Sequence, residues 1–111
     1  MIRINNRIIA KSYDKAATVL QQAIGLMFQS EVKKPLLFTF SKEKKTSLHM
    51  FFVFMPIDLI FISKGKKVVE TKQNFGPFTL YFPKKAAKYL IECRAGTIED
   101  YGIKLGQIVS F

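Results

Sequence analysis

The feature that most constrains the fold is the apolar run HMFFVFMPIDLIFIS, from His49 to Ser63. Apolar side chains fall on both faces of a strand drawn through this run, which predicts a strand buried on both sides. Pro56 cannot donate a hydrogen bond to a neighbouring strand, so we expect a break or bulge there. Asp58 follows two residues later, and a buried carboxylate must be paired or hydrogen-bonded. We therefore expect backbone N–H groups freed by the break to bind Asp58.

The rest of the chain predicts a small α+β protein that is mainly β. Short apolar segments alternate with turns, and Gly65 marks a tight turn inside a β-hairpin. The predicted strands are 2–9, 35–40, 49–63, 67–72, 78–82, 89–93 and 108–111. One N-terminal helix is predicted from Asp14, as N-cap, to Ile24, because apolar residues recur there at helical spacing. We expect a closed or nearly closed, β-barrel-like domain with the helix over one end and a charged loop at 41–47. A single helical turn is predicted to start at Thr97 and stop at Gly102.

Length and composition predict one domain over residues 1–111. The apolar run is too short and too interrupted to span a bilayer, and the N-terminus lacks the pattern of a signal peptide. Cys93 is the only cysteine and His49 the only histidine. The expectation is a cytoplasmic protein without a disulfide, a metal site or an organic cofactor.

The charge balance allows two interpretations. The formal net charge is +10, which attracts polyanions such as nucleic acid and also keeps a protein soluble. Nucleic-acid binding would need aromatic side chains exposed among the basic ones, with bases stacked on Tyr81 or Phe78. The candidate binding residues are Lys72, Tyr81, Lys84, Lys85 and Lys88.

Catalytic alternatives rest on few residues. Asp58 and Glu92 are the acids embedded in strongly apolar strands, and two carboxylates in one pocket can divide the roles of acid and base. His49 with Cys93 would suggest a thiol nucleophile, although the sequence around Cys93 favours a core position. A bulge beside a buried acid is also typical of active sites, so both roles of Asp58 stay open.

Six short motifs give the chain a family resemblance. In order they are IGLMF, LLFTF, PIDLIFIS, GKKVV, LIECRAGT and GIKLGQ. Together they resemble the family called domain of unknown function 192 (DUF192), in a short member of archaeal type. The resemblance implies a compact β-rich domain with no established activity. The recurrent family residues fall on Gly25, Leu26, Met27, Pro56, Asp58, Glu92, Gly96 and Gly106.

Two departures from the family pattern bear on function. Residues 49–53 replace a Trp-Met-Lys-Asn-Thr stretch, and Gln107 follows Gly106 where many members have Asp. We expect a non-enzymatic binding module for a polyanionic or protein partner, whose oligomeric state the sequence leaves open. The alternative is a small hydrolase-like or ligand-binding pocket around Asp58.

Overall fold

The computed structural model describes residues 1–16, 34–45, 48–49, 56–76 and 80–111. In chain order its elements are β1 (Ile2–Ile4), β2 (Arg7–Ala10), β3 (Asp14–Ala16), β4 (Leu36–Lys44), β5 (Leu48–His49), β6 (Ile57–Ile62), β7 (Val68–Phe75), β8 (Leu80–Tyr81), β9 (Ala87–Arg94), α1 (Thr97–Tyr101) and β10 (Val109–Ser110). The prediction of a mainly β protein is confirmed for these residues. No helix among them is long and apolar enough to cross a membrane.

The centre of the molecule is a five-stranded sheet in the order β3-β4-β9-β6-β7. All six residues of β6 are buried, as predicted for a strand apolar on both faces. The first part of the apolar run, 50–55, lies outside the described residues. β6 and β7 are antiparallel neighbours, which confirms the hairpin predicted around Gly65. Along β9, Leu90 and Ile91 contact different cores, so the predicted alternation of its faces is confirmed.

Each face of the large sheet supports its own core. One face carries the aromatic core, which consists of Phe38, Phe40, Ile57, Leu59, Phe61, Phe75, Ala87 and Leu90. The other face is covered by a three-stranded sheet, β10-β1-β2, and by α1. Between them lies the aliphatic core, which consists of Ile2, Ile4, Leu37, Ile60, Ile62, Val68, Ile91, Cys93, Ile98, Ile103 and Val109.

The barrel prediction is wrong for the part of the chain that the structure describes. There the large sheet is open and ends at β3 on one side and at β7 on the other. The second sheet explains why closure is not needed, because it covers one apolar face directly. The predicted charged loop is also partly wrong, since β4 continues to Lys44, which pairs with Ala87.

The prediction of an N-terminal helix is wrong for residues 14–16, the part of it that the structure describes. Asp14–Ala16 form β3, parallel to β4, and the Asp14 N–H donates to the Pro35 carbonyl at 3.0 Å. Residues 17–24 of the predicted helix lie outside the described residues. The helix in the described chain is α1, near the C-terminus. The predicted first strand is a hairpin, because Asn5 and Asn6 both have positive φ, 53° and 69°, as a tight two-residue turn requires.

Candidate functional site

Asp58 lies on β6 with its side chain fully buried. Its Oδ1 accepts the N–H of Asn74 at 3.0 Å, and its Oδ2 accepts the N–H groups of Gly96 at 3.1 Å and Ile98 at 3.0 Å. The Asn74 donor comes from a bulge in β7, where the pairing shifts between Ile57 and Leu59 and Asn74 adopts φ 52°. Backbone donors therefore satisfy the carboxylate as expected, but they come from β7 and from the segment after β9.

The bonds of Asp58 fix the chain between β9 and α1. Gly96 has φ 96°, a left-handed conformation that glycine adopts without strain. Thr97, the first residue of α1, donates its hydroxyl to the Arg94 carbonyl at 2.6 Å instead of capping the helix. Gly102 ends α1 with φ 59°, which confirms the predicted stop. Asp58 thus acts as the support of a sharply turned segment, 94–98.

Glu92 is also buried, but it does not share a pocket with Asp58. In the β6–β9 ladder, Asp58 is opposite Cys93 and Leu59 is opposite Glu92. Directly opposite residues point to the same face of a sheet and successive residues to opposite faces. The sheet therefore separates the two acids. Burial raises the pKa of Glu92 to about 8, and among the described residues its Oε2 has no hydrogen-bond partner.

Cys93 has the environment of a core thiol. It is buried in the aliphatic core, and its Sγ–H donates to the Asp58 carbonyl at 3.6 Å. Burial raises its pKa to about 12, so at neutral pH the nucleophilic thiolate is scarce. His49 pairs through its backbone with Leu80 in the β5–β8 ladder.

The basic residues before β9 bind one carboxylate through their backbone. Glu70 on β7 accepts the backbone N–H groups of Lys84 and Lys85, both through Oε1 at 2.8 Å. Its other oxygen accepts the hydroxyl of Tyr81. We call residues 82–85 the basic loop. Because Glu70 binds the backbone of the loop, the side chains of Lys84 and Lys85 remain exposed.

The aromatic group exposed at this loop is Phe82, which the sequence reasoning missed. The ring of Tyr81 packs against Phe61 and Phe75, with centroids 5.7 and 6.2 Å away. Burial, followed by the hydrogen bond and the charge of Glu70, raises the pKa of Tyr81 to about 12. Phe82 is 67% exposed. Alternation along the chain could have found it, since an inward Tyr81 places its neighbour outward.

The remaining binding candidates lie apart from the exposed pair. The Lys88 ammonium donates to the Phe40 carbonyl at 2.5 Å, which ties it to β4. Lys72 is half-buried on β7, opposite Leu59. Phe78, the other predicted stacking residue, lies outside the described residues.

A cavity of about 270 Å³ opens near the C-terminal end of β9. Its lining consists of Ile9, Ala10, Lys11, Ser12, Lys34, Pro35, Cys93, Arg94, Thr97 and Tyr101. Sequence reasoning did not single out the cavity, because its residues come from three distant parts of the chain. Asp58 does not line it, yet Asp58 holds the segment that carries Arg94 and Thr97.

Comparison with known proteins identifies the family. The pattern of DUF192, described as "Uncharacterized ACR, COG1430", matches residues 2–111. The chain belongs to the DUF192 family. The resemblance found in the sequence is thereby confirmed.

The curated relatives of this chain include UPF0127 proteins of archaea. A UPF0127 protein of Thermococcus kodakarensis is 36% identical over 98 residues, covering 86% of this chain and 62% of that protein. A UPF0127 protein of Pyrococcus furiosus is 32% identical over 93 residues, covering 82% of this chain and 78% of that protein. This chain therefore spans less than two thirds of the length of the Thermococcus kodakarensis relative.

Two solved structures share the fold. A protein of unknown function from Novosphingobium aromaticivorans has a TM-score of 0.83 and 25% identity, covering 89% of this chain and 74% of its own. A protein from Sinorhizobium meliloti has a TM-score of 0.81 and 22% identity, covering 88% of this chain and 79% of its own. The architecture is thus common to distant bacterial proteins.

Several DUF192 positions have a visible structural reason in this chain. Asp58 and Gly96 bond to each other, and Gly106 has φ 88° in the turn before β10. Pro56 is exposed immediately before β6. Gln107 stands where many members have Asp. Its side-chain oxygen accepts the Lys104 N–H at 3.0 Å, and its side-chain N–H₂ group donates to the Gly102 carbonyl at 3.3 Å. A carboxylate cannot make the second of these bonds. The family positions 25–27 lie outside the described residues.

Proposed function

We propose that the protein is a non-enzymatic binding module for a polyanion, and that single-stranded nucleic acid binds at the basic loop. The observation that carries this proposal is the exposed ring of Phe82 close in sequence to the exposed side chains of Lys84 and Lys85. An aromatic face beside cations is the usual combination for binding unpaired bases, because the ring stacks on a base while the cations bind phosphates.

The position of the loop is fixed before any ligand binds. Glu70 accepts two backbone N–H groups of the loop, and Tyr81 anchors its start through both its hydroxyl and its ring. A loop held in this way loses little conformational freedom on binding, which favours affinity. The net charge of +10 adds a long-range attraction for polyanions.

The catalytic alternatives receive less support from the same geometry. Three backbone donors occupy the Asp58 carboxylate, and Glu92 lies on the other face of the sheet. A hydrolase would need an acid or nucleophile that can reach a substrate. A binding module needs neither group.

The proposal is tested by fluorescence anisotropy with labelled single-stranded RNA and duplex DNA over a salt series. Stacking contributes about 1–3 kcal/mol per base, so Phe82→Ala should weaken single-strand binding by about 5- to 150-fold. Duplex binding should change much less, because paired bases do not stack on a protein ring. The double variant Lys84→Gln/Lys85→Gln should reduce the dependence of log affinity on log salt by about 1.4 for RNA, which is two phosphate contacts.

A matched control removes the same charge elsewhere. Lys15 is exposed on β3, at the opposite edge of the large sheet from β7, and Lys104 is exposed in the chain after α1. The double variant Lys15→Gln/Lys104→Gln should weaken RNA binding only slightly. Equal losses in the two double variants, or an unchanged affinity in Phe82→Ala, would refute a site at the basic loop.

A further inference from the structure

We propose that the cavity at the C-terminal end of β9 is a second ligand site, which binds the phosphate group of a small molecule. The cavity measures about 270 Å³. Binding sites for drug-sized ligands usually measure about 300–1,000 Å³, so this cavity suits a smaller molecule.

The charged side chains that line the cavity have one sign. Among the described residues that line it, the charged side chains are Lys11, Lys34 and Arg94, and none is acidic. A concave surface lined by one sign of charge concentrates the field and attracts the opposite ion. Three cations match a dianion better than a monoanion, and the guanidinium fork of an arginine binds two oxygens of a phosphate at once.

Among the described residues, one ion pair involves a cation of the cavity. The Lys34 ammonium lies 3.5 Å from the Asp14 carboxylate, but both side chains are exposed. Such surface pairs contribute only about 0–1 kcal/mol, so an incoming dianion can compete for Lys34. The exposed Arg7 donates to the carbonyl of the lining residue Tyr101 at 3.1 Å and lies 5.0 Å from the centre of its ring, which adds a fourth positive charge next to the lining.

Hydrogen bonds hold the backbone of the wall that carries Arg94. The N–H groups of Gly96 and Ile98 bind the buried Asp58, and the Thr97 hydroxyl binds the Arg94 carbonyl. The backbone of Arg94 is thus held in place through a fully buried carboxylate, so only the exposed side chain has to be ordered when the ligand binds.

The other walls indicate what is attached to the phosphate. Ile9, Ala10 and Pro35 supply apolar surface beside the cations. Apolar surface favours a ligand with a small organic part, such as a phosphomonoester. Free inorganic phosphate has the same recognising chemistry, and the experiment separates the two sources.

This site is distinct from the basic loop. Residues 82–85 come two residues before the start of β9, whereas Arg94 is its last residue. A failure of one proposal therefore leaves the other intact. Arg94→Gln should change RNA affinity by less than about threefold, since it removes one charge away from the loop.

The test is NMR titration of the ¹⁵N-labelled protein at constant ionic strength with inorganic phosphate, methyl phosphate and acetate. We expect saturable shifts of the amides of Ser12, Arg94 and Thr97 with both phosphates and weaker effects with acetate. Arg94→Gln and Lys11→Gln should each raise the phosphate dissociation constant at least about tenfold. Arg94→Lys, which keeps the charge but loses the fork, should cause a smaller loss.

The outcomes are separated by a control and by the acetate arm. Lys104→Gln removes one exposed charge elsewhere and should leave the dissociation constant unchanged. Tighter binding of methyl phosphate would support an ester, and tighter binding of inorganic phosphate would support the free ion. Shifts that do not saturate, equal binding of acetate, or the same loss in Lys104→Gln as in Arg94→Gln would overturn the proposal.

Discussion

Replacing Glu92 by glutamine should stabilise the protein, and the gain should depend on pH. Glu92 lies on β9, between β4 and β6, and is 8% exposed. Burial raises its pKa from 4.5 to about 8. The folded protein therefore binds this proton more tightly than the unfolded chain does. Glutamine has nearly the same size and no proton to lose.

The magnitude follows from the two pKa values. Below pH 4.5 the carboxyl group is protonated in both states and costs nothing. As the pH rises from 4.5 towards 8, the unfolded chain loses the proton while the folded protein keeps it, so the free energy of unfolding falls. At about 1.4 kcal/mol per pH unit, the full interval corresponds to about 5 kcal/mol, reached above pH 8. At pH 7 the cost is about 3 kcal/mol, a large part of the total stability of a small domain.

The assay is urea unfolding, followed by circular dichroism, of the natural protein and of Glu92→Gln between about pH 4.5 and pH 8.5. The two proteins should be about equally stable at the acidic end, and the variant should become progressively more stable as the pH rises. The matched control is Glu99→Gln, since Glu99 is exposed on α1. It should follow the natural protein within about 0.5 kcal/mol. A difference between Glu92→Gln and the natural protein that stays constant with pH would refute the reasoning.

Two further predictions concern buried hydrogen bonds. Asp58→Asn should lower the free energy of unfolding by about 2–4 kcal/mol, because the amide presents an N–H₂ group to backbone N–H donors that need an acceptor. Urea unfolding measures this loss, with Asp100→Asn, at an exposed position, as the control. A loss in Asp58→Asn no larger than in Asp100→Asn would contradict the prediction. Glu70→Gln should lower the pKa of Tyr81 part of the way from about 12 towards 10, since burial, the largest cause of the raised pKa, remains while the hydrogen bond to the carboxylate and its charge are lost. Absorbance titration of the phenolate tests this, with Tyr81→Phe identifying the signal, and an unchanged titration would contradict it.

The sequence predicted the fold where the pattern within one segment decides the structure. The run through β6 is apolar on both faces, and a strand of that kind has to be covered on both sides. Gly102 ends α1 with a positive φ, and Gly65 lies in the short turn between β6 and β7, so both signals are local. The hairpin at Asn5 and Asn6 carried a local signal as well, because asparagine tolerates positive φ, but the pair was missed inside an apolar stretch.

The prediction failed where a second element decides the outcome. Asp14 begins a helix-like pattern, yet its N–H binds the Pro35 carbonyl and the chain joins β4 as an edge strand. Pairing of this kind outweighs a weak helical preference, because propensity is easily overridden by tertiary contacts. The barrel prediction was wrong for a related reason, since nothing in the sequence shows that β1, β2 and β10 form a second sheet over one face of the large sheet.

The two buried acids show why the site was harder to predict than the fold. Both occur in apolar strands, and the sequence alone gives each the same candidate role. Alternation assigns each acid a face of its own strand, but only the register between β6 and β9 places those faces on opposite sides of the sheet. The donors around Asp58 then distinguish it from Glu92. Two of its three N–H donors belong to the segment that carries Arg94, so Asp58 supports that segment, and the third donor comes from β7. Asp58, which the sequence offered as a catalytic candidate, thus supports one wall of a basic cavity. The cations of that cavity belong to no sequence motif, and their substitution is the test for a bound ligand.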